Sequence, residues 1–283
     1  MAKIGAITLV KEGVANPAGA AFSLSVPATE DATLSFEDAE VEVRKGQRDV
    51  VIRFGSATDA NAAYLQGHTL VQQGLDLLSI LGILDAVIHD AEDEHTLWWT
   101  EPDGLVMRLV STTLLKLTVG QVKVVVHDKD GNVIPPATVQ PRHHTAFRYY
   151  RLAQNTDDLF DAYRNMYLAF ELLLSSSCPP AKGEREIDWL RRALHAAGST
   201  MRLDGVGLES GSTPVESLLD AVYRDARLPL FHAKEGKEFF APHVSASDRA
   251  AVAKALGVLT TIVLRMAEKW HDARRRGGGV FLG

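Results

Sequence analysis

LFDAYRNMYLAFELLLSSSCPP, residues 159–180, decides how the second half of this chain is read. Leu159, Tyr163, Met166, Tyr167, Phe170, Leu173 and Leu174 recur at threes and fours, the spacing that lines up one face of an α-helix. Cys178-Pro179-Pro180 must end that helix, because proline offers no amide proton and its ring collides with the preceding turn. A stripe this apolar needs other helices to cover it.

The sequence supplies them downstream. A second helix is expected from about Glu184 to Ala197. A third begins at Thr213-Pro214-Val215-Glu216, with Thr at the N-cap, Pro at the first helical position and Glu at the third, the pattern of a capping box. The last opens near Ser245-Ala246-Ser247-Asp248 and carries Val252, Leu256, Leu259, Val263, Met266 and Trp270. Residues 146–272 are therefore expected to form an all-α bundle, followed by a frayed tail, 273–283, that contains Arg274-Arg275-Arg276.

Upstream the period changes. Leu34–Val43 and Val50–Phe54 read as strands joined by the turn Arg44-Lys45-Gly46-Gln47. Asp59 to Ile88 has helical spacing through Tyr64, Leu65, Leu70, Val71, Leu75, Leu78, Leu81 and Leu84. Thr96–Thr100, Leu105–Val119 and Gln121–Val126 are rich in β-branched residues, and Asp128-Lys129-Asp130-Gly131-Asn132 closes a hairpin before Val133-Ile134. Residues 1–145 are thus expected to form an α+β domain of mostly antiparallel strands plus one long helix, suited to recruiting a protein partner.

Composition narrows the function classes. The chain has 283 residues, 46% of them hydrophobic, and a net charge of −6. The charge divides unevenly, −8 over residues 1–145 and +2 over 146–283, so a polyanion would sooner meet the second half. One cysteine excludes an intrachain disulfide and a cysteine-rich zinc site. Lys11 and Glu12 interrupt any signal-peptide core, and no apolar run is expected to approach the roughly eighteen residues of a membrane-spanning helix; the expected location is the cytoplasm, with no membrane partner. Phosphate loops, dinucleotide fingerprints, nucleophile elbows and paired zinc histidines are all missing, so no cofactor and no metal are expected. His89 and His95 flank a loop that reads as solvated, Asp128–Asn132 lacks the glutamate of a calcium loop, His143-His144 reads as packing at the domain junction, and Cys178 as a small buried apolar residue.

One segment stands apart: Tyr223-Arg224-Asp225-Ala226-Arg227-Leu228-Pro229-Leu230-Phe231-His232-Ala233-Lys234. Arg227 and His232, five apart, lie about 140° apart on an ideal helix. They converge through a break at Pro229 or across a two-fold axis. Histidine shuttles protons near neutral pH and guanidinium clamps charge developing on phosphate, which together suit phosphodiester cleavage. The competing structural reading is an arginine capping helix carbonyls and a histidine hydrogen-bonded in the core.

RYYRLAQNTDDLFDAYRNMYLAFELLL (Arg148–Leu174), REIDWLRRAL (Arg185–Leu194) and YRDARLPLFHAK (Tyr223–Lys234) together resemble the Apea-like branch of HEPN domains, closest to the MauJ-like group labelled for methylamine utilisation. The resemblance spans about residues 146–272 and implies a homodimeric, HEPN-like helical bundle. It also implies a metal-independent endoribonuclease with Arg227 and His232 catalytic, often in defence or toxin-like systems. Arg224, Lys234 and Lys237 are the expected RNA or nucleotide contacts. Active members commonly place a polar residue after the motif arginine, and here it is Leu228. That departure keeps open an inactive module that binds a nucleotide or RNA. The label leaves a third reading, an accessory protein of methylamine metabolism, which no residue pattern supports.

Overall fold

The computed structural model describes residues 2–10, 17–89, 91–92, 94–110, 142–198, 213–231 and 246–268. The chain divides into two compact units between His143 and His144. His143 bonds to Asp76 in the first, 3.1 Å, and His144 to Ser176 in the second, 2.8 Å.

In the first unit a short hairpin, β1 (Lys3–Ile4) and β2 (Ile7–Thr8), precedes β3 (Ala18–Leu24), β4 (Ala32–Phe36), β5 (Ala39–Val43) and β6 (Asp49–Phe54). Then come helix α1 (Ala60–Ile80), β7 (Ile88–His89), β8 (His95–Glu101) and β9 (Gly104–Val110). The sheet runs in the order β4-β5-β6-β3-β8-β9, with β7 also on β3, and every pairing is antiparallel. The expected α+β class with antiparallel strands and one long helix is what the described residues form.

Three details differ from the sequence reading. Leu34–Val43 is two strands, because Phe36 pairs with Ala39 across a two-residue loop in which Glu37 takes φ 49°. Helix α1 stops before Ile88, at a C-cap on Leu81, because Gly82 at φ 73° lets its amide reach Ser79 O and that of Ile83 reach Leu78 O. That paired closure satisfies the last carbonyls and turns the chain out of the helix. The third is the central strand β3, AGAAFSL, which has no β-rich signature.

Small residues are what the centre of this sheet demands. A Cβ on Gly67 of α1 would stand 2.6 Å from the Ala20 Cβ of β3, and one on Gly74 would stand 2.9 Å from Val41. On the opposite face a Cβ on Gly19 would enter the Trp98 ring. Helix and strands therefore meet nearly backbone to backbone. Gly67→Leu should destabilise this unit by about 2–3 kcal/mol through overpacking, read as a drop in the urea midpoint. The second face is covered by the β1–β2 hairpin, whose Ile7 and Leu9 pack on Ala21, Val51 and Trp98. Along β9, Leu105, Met107 and Leu109 are exposed. The expected strands beyond Val110 and the Asp128–Asn132 hairpin lie outside the described residues.

The second unit is helical: α2 (Ala146–Gln154), α3 (Leu159–Ser177), α4 (Glu186–Gly198), α5 (Pro214–Leu219), a π-helical stretch (Asp220–Arg227), α6 (Leu228–Phe231) and α7 (Ala246–Ala267). Helix α3 is central and packs on α2, α4 and α7. Its stripe is buried from Tyr163 through Leu174, and Asp158 caps its start by accepting the amides of Phe160 and Asp161. Thr213 caps α5, but the Glu216 carboxylate turns to Arg191 at 2.5 Å, so half of the expected capping box gives way to an ion pair. Among the described residues α7 is the one helix long and apolar enough to cross a membrane, by length and composition, which corrects the expectation that no apolar run approaches that length. Val252, Leu259, Ile262 and Val263 are fully buried within the unit, as in a core helix.

Candidate functional site

The helix begun at Pro214 reaches Pro229 without breaking. Proline at 229 has no amide to give and its ring crowds the carbonyl four residues back. The turn before it widens instead: Leu228 donates to Tyr223 O, five residues back, and Leu228–Phe231 continues as helix. The expected break is thus a π stretch, and Arg227 is its last residue.

Arg227 pairs with a carboxylate. Its Nη2 lies 2.9 Å from Oε1 of Glu186, the first residue of α4. The guanidinium carbon lies 5.2 Å from the Tyr223 ring centroid and 5.7 Å from those of Tyr167 and Phe231, within the range of cation–π attraction. The Tyr167 hydroxyl donates to Glu186 Oε1 at 3.3 Å and that of Tyr223 to Oε2 at 3.1 Å. One turn deeper, the Tyr163 hydroxyl donates to Val222 O and ties α3 to the π stretch.

A second carboxyl completes the cluster. Glu171 lies on α3 four residues after Tyr167 and hydrogen-bonds Glu186. Burial, then repulsion from Glu186, raises its pKa to about 7, against the pull of Arg227. The Tyr163, Tyr167 and Tyr223 phenols are pushed up, chiefly by burial, and stay hydrogen-bond donors at neutral pH. The cluster therefore combines a fixed cation, a carboxyl that exchanges its proton near neutrality and a rim of phenols. That inventory suits proton transfer beside a bound anion.

Of the residues expected at the site, Arg227 sits in this cluster. Arg224 is engaged elsewhere, pairing with Asp220 and, at 3.6 Å, with Glu216. His232, Lys234 and Lys237 lie outside the described residues. Leu228 is half-buried. Glu171 and Glu186 were missed, although a signal existed: Tyr163, Tyr167 and Glu171 continue one stripe at intervals of four, so a carboxyl falls where the helix face should stay apolar.

The remaining candidates read differently in the structure. Cys178 is half-buried rather than buried, and Arg192 Nη1 donates to its Sγ at 2.8 Å. The His95 Nδ1 lies 2.9 Å from Ala91 O, and its ring packs against Tyr64. Among the described residues no group of three or more His, Cys, Asp or Glu could hold a metal ion. In the first unit, Ser23, Asp49, Glu94 and His95 line a recess of about 130 Å³, where burial and Glu94 raise the Asp49 carboxyl. No family model, curated protein or solved structure matches the chain.

Proposed function

We propose that this chain is an RNA-directed HEPN-type protein that cuts RNA without a metal, as a homodimer in which Arg227 and His232 serve each site. The observation that carries the reading is the ion pair of Arg227 with Glu186, beside a second half-buried carboxyl, Glu171, whose pKa is raised to about 7. π-helical turns often mark functional positions, and this one sets the motif arginine. In the proposed reaction the ribose 2′-oxygen bonds to the adjacent phosphorus and its proton passes to a base. The bond from phosphorus to the 5′-oxygen breaks, and that oxygen takes a proton, leaving a 2′,3′-cyclic phosphate and a 5′-hydroxyl. His232 handles these protons and Arg227 offsets the charge gathering on the phosphoryl oxygens.

The test is incubation of end-labelled RNA in excess chelator with the native protein beside His232→Ala. Cyclic-phosphate ends from the native protein alone are the expected result; cutting by folded His232→Ala would overturn the assignment. A second reading is favoured by the Arg227–Glu186 ion pair together with Leu228: a module that holds RNA or a nucleotide without cutting it. Binding with no products in the same assay would select it.

A further inference from the structure

We propose that the Glu186 carboxylate is an internal stand-in for phosphate at Arg227, and that an RNA phosphodiester displaces it when the Glu171–Glu186 pair holds a proton. The inference rests on the preceding reading in taking RNA phosphate as the occupant.

Carboxylate and phosphate ask the same thing of guanidinium, two parallel N–H donors in a plane. Glu186 already holds one corner of that fork, its Oε1 lying 2.9 Å from Arg227 Nη2, and each of its oxygens also accepts a phenol, from Tyr167 and Tyr223. Three rings around the guanidinium narrow the directions from which an anion can reach it. A phosphate arriving while both carboxyls are charged would place three anionic groups around one cation. A proton between Glu171 and Glu186 removes one of those charges and, with the two phenols, holds Glu186 when Arg227 turns to the phosphate. Among the described residues, the charged and titratable groups facing the pair are Arg227 and Tyr223 from the π stretch, and Tyr163 and Tyr167 from α3. Of the pair, Glu171 changes state near pH 7, whereas the phenols are raised and stay protonated.

The sign follows from linkage. Binding that requires the protonated pair is insensitive to pH below about 7 and weakens about tenfold per pH unit above it. The probe is a short fluorescein-labelled RNA carrying 2′-O-methyl groups, which block cleavage. Its binding is followed by anisotropy from about pH 6 to about pH 8.5 at fixed ionic strength. We expect the native slope above neutrality, a flat profile for Glu171→Gln, and binding at the alkaline end about tenfold or more tighter for Glu186→Gln than for the native chain. His232→Ala should keep the slope, which separates the pair from the histidine. Binding that is lost in Arg227→Ala yet keeps its slope in Glu171→Gln, or weakens in Glu186→Gln, overturns the inference and leaves the RNA reading standing. Absence of Arg227-dependent binding in every variant overturns both. Far-UV circular dichroism of each glutamine variant confirms that it is folded.

Discussion

Arg227→Lys should lower the proposed RNA cleavage by about 10²–10³-fold while leaving the helical unit folded. Lysine keeps the positive charge that Glu171 and Glu186 face, so their mutual repulsion stays offset. It loses the planar fork that places two donors on one phosphate and the flat surface that rests on Tyr167, Tyr223 and Phe231. Losing one preorganised donor at a developing oxyanion typically costs a rate of that size. Arg227→Ala makes the contrast: it removes the cation that offsets the carboxyl pair, so melting temperature and cleavage should fall together. Single-turnover cleavage beside thermal melts of the two variants checks the split. Native-like cleavage by Arg227→Lys would remove the guanidinium from the reaction.

A larger loss of stability is expected far from that site. Arg53 on β6 is wholly buried, between Glu40 and Glu42 at 2.8 Å each, with its Nε donating to Leu9 O at 3.0 Å and its Nη2 to Thr8 O. It thus ties three elements together: the strands β5 and β6, and the hairpin that closes the second face of the sheet. Arg53→Met fills most of the volume but strips Glu42, itself 2% exposed, of its buried partner and leaves it the half-exposed Arg44 at 2.5 Å. Removing one partner of a buried ion pair costs about 3–5 kcal/mol, a large share of the stability of any single domain. Hydrogen exchange of β3 and β6 amides would read the loss within the sheet unit. Protection should return in Arg53→Met/Glu42→Met, since an apolar pair of similar size often matches the ionic one. A change under about 1 kcal/mol in the single variant would show that water reaches this cluster.

How far the sequence could be read depends on which physical constraint shaped each element. Helix α3 was legible because burial on one side forces a period near 3.6, and Tyr163 through Leu174 obey it. Strand β3 was not, although it is central, because close approach by α1 and Trp98 selects alanine and glycine over the β-branched residues that advertise a strand. In α1 the same constraint blurs one end of the stripe: Val71, Leu75 and Leu78 are buried as the period expects, but Leu65 is exposed, and Ala63, Gly67 and Gly74 share the buried face. At the site, Arg227 was found by its spacing to His232, whereas Glu186 lies 41 positions away in sequence and pairs through folding alone. No local pattern carries that information.

The π stretch has one more consequence, for angular phase. Each residue of an ordinary helix advances the side chain by about 100°. A run bonded five residues back advances less per residue, so the rotation accumulated over Asp220–Arg227 falls behind that of a regular helix. Faces before and after it are therefore set independently. Val215, Leu218, Leu219 and Val222 point into the core, whereas no residue of Leu228–Phe231 is buried. A helical wheel drawn straight through residues 214–231 therefore misphases its last turn, and one residue deleted inside the stretch would re-aim everything that follows it.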